Sequence, residues 1–368
     1  MILNFEGKKN LESLMDEIDD IGILTNAGPV EDQVYHGDNL EVMKSMLIHH
    51  DMRGKIDLMY IDPPYASDNV FSTSDTRMNT ISRAKGGEVA YEDVLKGDDY
   101  LAFIQHRLLL MKELLSDTGS VYVHIDNSMG HYVKVIMDEI FGMSNFLNDL
   151  SRIKCNPKNF RQKSFGNIKD NILYYSSSGE HTWNDLKVPK TEAQLEKGYK
   201  KINDKGERYT TVPLHAPGET KNGPTGQPWR GVLPPEGRHW RTEPALLEKL
   251  DEDGLIEWSK TGNPRKIKFA KDDEGSRIQD ILEYKDPQKP SYPTEKNNLL
   301  LSILIQCSSN PGDIVMDCFC GSGSTLNEAS KLDRKFIGID QSPMAIEVTT
   351  KRLGLNSELS SQKYEPMD

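Results

Sequence analysis

The segment Ile56-Asp57-Leu58-Met59-Tyr60-Ile61-Asp62-Pro63-Pro64-Tyr65 carries the strongest structural signal in the chain. Its first six residues, Asp57 aside, are large and apolar, which predicts a buried strand of a parallel sheet. The two prolines end this strand, because neither donates to a sheet ladder and each keeps its predecessor extended. Ligands of open α/β sheets bind at the carboxyl ends of the strands. We therefore expect Asp62, the proline carbonyls and Tyr65 to face a ligand crevice.

These groups suit the activation of an exocyclic amine on a nucleobase. If Asp62 and the carbonyl of Pro63 accept the two N–H bonds of the amine, electron density shifts toward its nitrogen and makes it a better nucleophile. Tyr65 would stack on the base, a contact worth roughly 1 to 3 kcal/mol. A purely structural turn from strand to loop is the competing interpretation, and these four residues alone do not decide between the two.

Length and composition describe an ordinary globular protein. The 368 residues allow one large domain or two smaller ones, and 36% hydrophobic with 28% charged residues is typical of a folded, soluble chain. The sequence contains no apolar stretch of membrane-spanning length, and its start is too acidic for a signal peptide. We therefore expect a cytoplasmic protein with no membrane contact. The four cysteines form no CxxC pair, so we expect no metal site.

Hydrophobic periodicity alternates between strands and helices along much of the chain, which predicts a mostly parallel sheet. The predicted strands are 34–38, 56–61, 120–125, 170–176, 314–318 and 335–339, and the predicted helices are 40–48, 100–115, 131–141, 295–307, 326–332 and one from about 343. Residues 66–97 show little periodicity and are predicted to be a long loop, which is usually functional or mobile.

An irregular insert interrupts this alternation between about residues 183 and 290. Proline and glycine become frequent there, and Trp229, Trp240 and Trp258 occur among arginines. Aromatic residues interleaved with arginines suit stacking on bases and pairing with phosphates. A small subdomain whose tryptophans form its own core would show the same pattern.

The net charge of −12 argues mildly against a nucleic-acid partner, but the distribution of charge argues for one. Residues 151–169 and 258–271 carry several Lys and Arg and no acid. Such stripes are also common on solvated loops. The candidate DNA-binding residues are Lys158, Arg161, Lys163, Arg230, Arg238, Arg241, Arg265 and Lys266.

A glycine turn, residues 319–325 (FCGSGST), lies between a predicted strand and a predicted helix, and the next strand ends in Asp340. This order is that of a Rossmann-like nucleotide site. The third glycine of a dinucleotide motif is replaced by Leu326, which favours a cofactor without a pyrophosphate. S-adenosylmethionine fits, with Asp317 near its amino acid moiety and Asp340 on its ribose. Asp38, at another strand end, would either contact the cofactor or cap the following helix.

The chain resembles the amino-methylating DNA methyltransferases of restriction-modification systems, including type III modification subunits. Residues 62–65 match the D-P-P-Y motif of that family in full, and residues 319–325 match its F-x-G-S-G-T-T motif with Ser324 in place of the first threonine. Residues 293–297 resemble the P-T-x-K-P element, with Asn297 in place of the last proline, and Gly37-Asp38 resembles an element near the cofactor's adenine. The order of the motifs is that of the β class.

The resemblance implies a circularly permuted, Rossmann-like methyltransferase fold. It divides the chain into a catalytic half (1–182), a target-recognition insert (183–290) and a cofactor-binding half (291–368). The implied catalytic residues are Asp62, Pro63, Pro64 and Tyr65. The implied cofactor-binding residues are Asp38, Thr294, Lys296, Asp317, Phe319, Gly321, Gly323, Ser324, Thr325 and Asp340.

The implied reaction is methyl transfer from S-adenosylmethionine to the N6 amine of an adenine that is flipped out of duplex DNA. Methylation of cytosine C5 is excluded, because it needs a cysteine nucleophile, typically after proline, and the sequence has no Pro-Cys pair. Aspartate as the first motif residue favours adenine over the N4 amine of cytosine. RNA and protein are further candidate substrates, and a DNA-binding partner without activity is a competing interpretation. A homodimer and a cognate restriction endonuclease are compatible with this prediction, and the sequence does not decide on either.

Overall fold

In this computed structural model the described residues are 2–17, 23–24, 29–64, 70–73, 79–81, 88–92, 97–157, 163–287, 295–355 and 362–365, with the backbone alone at 23, 70–73, 79–81, 88–92 and 362–365. The chain forms two compact units. The first comprises Met1–Leu186 and Gln279–Asp368, and the second is Lys187–Ile278. The second unit lies inside the segment 183–290 that the sequence assigns to an insert.

The strands in chain order are β1 (Ile23–Leu24), β2 (Gln33–His36), β3 (Ile56–Ile61), β4 (Val70–Thr73), β5 (Asn79–Ile81), β6 (Glu88–Glu92), β7 (Leu115–Ile125), β8 (Phe146–Ile153), β9 (Lys169–Ser176), β10 (Lys187–Val188), β11 (Lys201–Ile202), β12 (Arg208–Pro213), β13 (His215–Pro217), β14 (Arg238–Trp240), β15 (Ile256–Trp258), β16 (Pro264–Phe269), β17 (Ser276–Arg277), β18 (Ile281–Leu282), β19 (Ile314–Asp317), β20 (Lys335–Asp340) and β21 (Gln362–Glu365). The helices are α1 (Leu11–Asp16), α2 (Asn39–His49), α3 (Gly97–Leu114), α4 (Gly130–Phe141), α5 (Glu192–Gly198), α6 (Pro244–Glu252), α7 (Asn298–Ser308), α8 (Ser324–Lys331) and α9 (Pro343–Leu353).

The first unit is built on a sheet in the order β1-β21-β2-β20-β19-β3-β7-β9-β8-β18. The strands β2, β20, β19, β3 and β7 are parallel to one another. Two strands from the end of the chain, β19 and β20, therefore lie between β2 and β3 from its beginning. This arrangement confirms the predicted α/β sheet, and its strand order is that of a circular permutation.

The central strands β3 and β7 lack the alternation of buried and exposed residues that a one-sided sheet would show. They are instead buried along most of their length, because helices cover both faces of a parallel sheet. The helices form two packed groups, α2 with α3 and α4, and α7 with α8 and α9. Asp57, the polar exception in β3, accepts hydrogen bonds from Ser116 Oγ (3.1 Å) and from the backbone N–H of Ile314 (2.9 Å).

Three parts of the first unit differ from the sequence-based expectation. The periodicity of the sequence did not indicate β8, an edge-side strand with only one fully buried residue. Strand β9 is antiparallel to both of its neighbours. The segment 66–97, predicted as a loop, contains the short strands β4, β5 and β6, which form an antiparallel sheet of their own.

The second unit is more regular than its sequence indicates. It contains a four-stranded antiparallel sheet in the order β11-β12-β16-β15 and the hairpin of β13 with β14. Its core consists of Leu214, Trp229, Trp240 and Leu247, so two of the three tryptophans are core residues. Trp258 is 41% exposed and stacks on Trp229 with ring centroids 5.4 Å apart.

The segments of the first unit that flank the second are held by specific hydrogen bonds. Before the second unit, the Asn184 side chain donates to the carbonyls of Gln306 (2.9 Å) and Ser309 (3.0 Å) at the end of α7. After it, the carbonyl of Asp280 accepts from the N–H of Ser151 (2.8 Å), and β18 pairs with β8. Both flanks therefore belong to the architecture of the first unit.

Among the described residues, we find no helix that is both long and apolar enough to cross a bilayer.

Gly338, in the middle of β20, offers a direct test of the close packing between this strand and α8. A Cβ at this position would lie 2.3 Å from Cδ1 of Leu326, which is fully buried and cannot swing into solvent. We predict that Gly338→Ala lowers the free energy of unfolding by about 1 to 3 kcal/mol, measured by urea denaturation. Gly179→Ala, where nothing lies within 4 Å of the added Cβ, is the matched control and should change it little. Equal losses in both variants would contradict this packing.

Candidate active site

The glycine turn after β19 has the backbone geometry that the sequence predicts for a nucleotide site. Gly323 adopts φ +69° immediately before α8, a left-handed conformation that glycine tolerates without strain. A Cβ at Gly323 would also lie 2.6 Å from Cγ2 of Thr349. Gly321 has a positive φ of 49°. Both glycines are thus required by the path of the backbone.

Two carboxyl groups flank this turn, that of Asp317 buried and that of Asp340 partly buried. Asp317, at the end of β19, accepts from the N–H of Phe319 (3.0 Å), and burial raises the pKa of its carboxyl to about 7. Asp340, at the end of β20, accepts from the N–H of Gly321 (2.8 Å) and of Ser342 (2.9 Å), and burial raises its pKa as well. The carboxyl ends of two adjacent parallel strands therefore present acidic side chains around one turn.

Asp38 lies two residues after the end of β2, as the N-cap of α2, and has two partners. Its carboxylate caps α2 by accepting from the N–H of Leu40 (2.7 Å), and it also accepts from Nη2 of Arg107 (3.0 Å). Arg107 is buried and donates through Nε to Asn39, whose amide donates to the carbonyl of Cys318 (2.6 Å). Asp38 is therefore a helix cap, one of the two roles that its sequence position indicates, and it is also fixed beside the end of β19.

These groups fit the predicted cofactor. Asp38, Asp317 and Asp340 provide acceptors for hydroxyl and ammonium groups along three strand ends, and the glycines of the turn between them have no side chain that would keep a ligand from the backbone. Phe319 packs on Phe103 with ring centroids 5.9 Å apart. Thr325 forms a hydrogen bond with Asp317.

Asp62 directly follows β3, the strand beside β19. Its Oδ2 forms an ion pair with Nζ of Lys296, and its Oδ1 lies 3.9 Å from Nδ1 of His124. Pro63 is buried and Pro64 is partly buried, while Tyr65 lies outside the described residues. The structure thus brings Asp62 together with Lys296, a residue that the sequence assigned to the cofactor.

Behind Asp62 lies a buried polar group that sequence reasoning missed. His124, on β7, is fully buried, with Nδ1 2.8 Å from the Tyr60 hydroxyl and Nε2 3.3 Å from Oδ2 of Asp170. Burial alone would raise the pKa of Asp170, but its hydrogen bond from His124 and its contact with Lys154 lower it. Because Asp170 is ionised, we assign the ring proton to Nε2, so that the hydroxyl of Tyr60 donates to Nδ1. Burial lowers the pKa of His124, which favours its neutral form.

Two cations of the first basic stripe, residues 151–169, pair with carboxylates of the protein itself and are poorly placed to bind a polyanion. Arg152 is fully buried, forms an ion pair with Asp286 and donates from Nε to the carbonyl of Tyr284 (3.0 Å). Lys154 pairs with Asp170 at 2.6 Å. These two cations neutralise carboxylates of the protein itself. Lys163 is exposed, whereas Lys158 and Arg161 lie outside the described residues.

The segment before α7 contacts Asp62 through Lys296 and is linked to the glycine turn through Arg352. Glu295 accepts from Nη2 of Arg352 (2.6 Å), and Nη1 of Arg352 donates to Oγ of Ser324 (2.6 Å) and of Ser322 (3.2 Å). Asn297 caps α7, accepting from the N–H of Leu299 and Leu300. Thr294, a predicted cofactor contact, lies outside the described residues.

In the second unit, the predicted DNA contacts occupy different environments. Arg230 forms ion pairs with Glu248 and Asp251, and Arg265 donates to the side chain (2.9 Å) and carbonyl (2.7 Å) of Thr211. Arg238 and Arg241 are exposed and Lys266 is partly exposed.

His215 shows that several of these cations lie together. Burial lowers its pKa, and the charges of Arg238, Arg241 and Arg265 lower it further. Nη1 of Arg238 lies 3.3 Å from Nδ1 of His215. Arg238 therefore contacts His215, and Arg241 and Arg265 lie near enough for their charges to act on it.

Two signals in the sequence indicated the residues that were missed. His124 interrupts an otherwise apolar strand next to its carboxyl end, just as Asp62 follows one. Arg107 lies on the apolar face of α3, among Ile104, Leu108 and Met111. A polar side chain at a buried position needs a partner, so both patterns predict buried polar networks.

Comparisons with known proteins agree with this geometry. A family model described as DNA methylase matches residues 56–351. The chain is 44% identical over 329 residues to the type II methyltransferase M.EcaI of Enterobacter cloacae. The alignment covers 85% of this chain and 70% of that protein.

More distant relatives are longer than this chain. It is 27% identical over 376 residues to the StyLTI Mod subunit, a type III restriction-modification enzyme of Salmonella typhimurium, covering 89% of this chain and 55% of that protein. The chain thus spans about half the length of this relative. The solved structure of the M1.HpyAVI-SAM complex is similar with a TM-score of 0.47 and 16% identity, covering 88% of this chain and 99% of that one, too low a likeness to carry an argument.

The buried partners of Asp170 predict a pH-dependent contribution to stability. Its pKa in the folded chain lies below the unfolded value of about 3.9, so its stabilisation is complete above that pH and is lost as the pH falls further. We predict that Asp170→Asn lowers the free energy of unfolding at pH 7 by about 2 to 4 kcal/mol, because His124 and Lys154 lose a buried charge partner.

The measurement is urea unfolding between pH 3 and pH 7. The difference between wild type and Asp170→Asn should shrink toward the acid end. Asp149→Asn, an exposed carboxylate on the adjacent strand β8, is the control and should cost less than about 0.5 kcal/mol. A loss that is constant with pH would argue against the ionised state of Asp170.

Proposed function

The chain belongs to the DNA methylase family, and from this membership we propose that it is a site-specific DNA methyltransferase that methylates the N6 amine of adenine. The family resemblance that the motifs indicated is confirmed. The cofactor of this family is S-adenosylmethionine, as predicted, and the α/β fold is that of its methyltransferases. The match to a type II methyltransferase supports a role in restriction and modification.

The observation that carries the proposal is the pairing of β3 with β19. These strands are parallel neighbours, with Leu58 opposite Val315 and Met59 opposite Met316. Their carboxyl ends therefore lie side by side, one followed by Asp62 and the other ending in Asp317, and the charge of Asp62 contributes to the raised pKa of Asp317. A base held at Asp62 would be adjacent to a cofactor held at the glycine turn.

The residues of the chain act by positioning and electrostatics. Asp62 and the carbonyl of Pro63 accept the two N–H groups of the target amine, which raises the nucleophilicity of its nitrogen. The nitrogen would form a bond with the methyl carbon while the electron pair of the broken carbon–sulfur bond stays on the sulfur of the departing S-adenosylhomocysteine, and the methylated amine would then lose one proton to water. S-adenosylmethionine supplies the methyl group. No covalent bond to the enzyme is needed, which agrees with the lack of a Pro-Cys pair in the sequence.

Adenine is proposed over cytosine because the motif begins with Asp62, since the resembled family tends to use aspartate first for adenine and serine first for N4-cytosine. Extrusion of the base costs a few kcal/mol, part of which stacking on Tyr65 would recover. The aspartate at position 62 therefore predicts that adenine is the methylated base, and analysis of the methylated nucleoside tests this prediction.

The three arginines near His215 support contact between the second unit and the DNA backbone. Arg238 and Arg241 are exposed there, which suits phosphate contacts. Arg230 is the least suited of the predicted contacts, because its guanidinium already neutralises two carboxylates. The role of the insert in target recognition, a homodimer and a cognate restriction endonuclease stay predictions.

The deciding experiment is methylation of unmodified genomic DNA with labelled S-adenosylmethionine, followed by nucleoside analysis. Label in N6-methyladenine at one recurring sequence is the expected result. Label in N4-methylcytosine would overturn the proposed base. Cofactor binding without any label in DNA would overturn the proposed reaction and favour an RNA or protein substrate or a non-catalytic partner.

We predict that Asp62→Ala reduces methyl transfer by about 100-fold or more, because the amine loses a charged acceptor in the transition state. Binding of S-adenosylmethionine, measured by titration calorimetry, should stay within a few-fold of wild type. Asp117→Ala is the control, since Asp117 is exposed near the amino end of the neighbouring strand β7. Unchanged turnover in Asp62→Ala would contradict the catalytic assignment.

Lys266→Ala should weaken DNA binding and reduce the slope of log affinity against log salt by about one unit, because one phosphate contact and its released counterion are lost. The measurement is a fluorescence titration of duplex DNA at several salt concentrations. Lys197→Ala removes an exposed charge at the end of α5, outside the basic stripe, and should leave the slope unchanged. If the slope is unaltered in Lys266→Ala, the basic stripe at residues 258–271 is a solvated surface and not a DNA contact.

A further inference from the structure

The adjacent residues Glu295 and Lys296 contact different parts of the site. Nζ of Lys296 forms the ion pair with Oδ2 of Asp62, while Oε1 of Glu295 accepts from Arg352. Arg352 in turn donates to the two serines of the glycine turn. One dipeptide therefore connects the catalytic motif with the cofactor turn, which are more than 250 residues apart in sequence.

The ion pair between Lys296 and Asp62 is largely withdrawn from water. The side chains are 11% and 17% exposed, in contrast to the exposed ion pairs of the surface. Exposed pairs contribute little, but removing one partner of a buried pair leaves an uncompensated charge. The geometry of Asp62 consequently depends on Lys296.

The backbone beside Lys296 is fixed in place. Asn297 accepts from the N–H of Leu299 (2.9 Å) and Leu300 (3.2 Å), and its amide donates to the carbonyl of Lys285 (2.7 Å). Asparagine is a strong N-cap. Asn297, which departs from the proline of the resembled element, thus starts α7 and holds the dipeptide in position.

We propose that Lys296 is a positioning residue for Asp62, and that Glu295, through Arg352, positions the glycine turn. Lys296 fixes the carboxylate from one side so that it meets the target amine in a single orientation. Glu295 holds the cofactor turn at a set distance along the same backbone. This proposal rests on the proposed function, and it assigns to Lys296 a role in turnover rather than in cofactor binding.

The proposal makes the need for Lys296 depend on the charge at position 62. A carboxylate at position 62 requires a counter-charge, whereas the neutral amide of Asn in Asp62→Asn does not. Replacing Lys296 by a neutral residue should therefore lower the stability of the folded chain when residue 62 is Asp and change it little when residue 62 is Asn. If Lys296 acts only by direct contact with the cofactor, its replacement should have the same effect whether residue 62 is Asp or Asn.

The kinetic test compares Lys296→Met with wild type. We expect the turnover number to fall by about 100-fold or more, with the Kd of S-adenosylmethionine, measured by calorimetry, within about threefold. Lys296→Arg should recover part of the turnover. Lys44→Met, which removes another buried lysine, paired with Glu41 on α2, is the control for general damage. A raised Kd with unchanged turnover would overturn the proposal.

A thermal-unfolding cycle tests the same point without relying on activity. The variants are Asp62→Asn, Lys296→Met and the double variant. We expect the double variant to be more stable than Lys296→Met alone, because the carboxylate that has lost its lysine is replaced by a neutral amide. Additive effects would overturn the proposed pairing. If wild type methylates no nucleic acid, the proposed function fails, while this cycle still reports on the pair.

Glu295→Gln tests the role of Glu295 separately from that of Lys296. It leaves the pair of Lys296 with Asp62 intact but weakens the anchor of Arg352 on the glycine turn. The effect is expected in the Kd of S-adenosylmethionine, raised about tenfold, with a smaller change in turnover. An unchanged Kd, or a loss of turnover alone, would overturn the role of Glu295.

Discussion

Parallel pairing of β3 with β19 is the contact on which the rest of this structure depends. It involves few residues, yet it joins segments that are far apart in the chain and sets their carboxyl ends side by side. Asp57 reinforces it, because its carboxylate receives the N–H of Ile314 at the start of β19 and the hydroxyl of Ser116 at the start of β7. A single, partly buried carboxylate therefore ties three central strands at their amino ends, opposite the ends at which we propose that the chemistry takes place.

Around the catalytic motif, three acids each have a basic neighbour. Lys296 faces Asp62, His124 and Lys154 face Asp170, and Arg152 faces Asp286. Buried charges are costly to desolvate, and such pairs offset this cost only with good geometry and further hydrogen bonds. Of these pairs, only that of Lys296 with Asp62 includes the carboxylate of the D-P-P-Y motif, and in our proposal it orients this carboxylate and is not a source of stability.

The sequence predicted those parts of the site that local patterns determine. The bounds of β3, the glycine turn and the acids at the ends of β19 and β20 follow from apolar runs, glycine positions and alternation. The residues missed were those whose role depends on pairing between distant strands. His124 stands out in an apolar run, but its partners Tyr60 and Asp170 are identified only when β7 lies between β3 and β9. Arg152 is recognised as buried only when β8 is recognised as a strand. The strands of the insert could not be predicted either, because strands of two to six residues are too short for local periodicity to identify.

The hydrogen bonds of Asn184 and Asp280 on either side of the second unit have an evolutionary consequence. Because both flanking segments are secured within the first unit, a segment of different length or sequence can be exchanged between them with little effect on the main sheet. Recombination at these two joints would let a lineage exchange the second unit while it inherits the first unit unaltered.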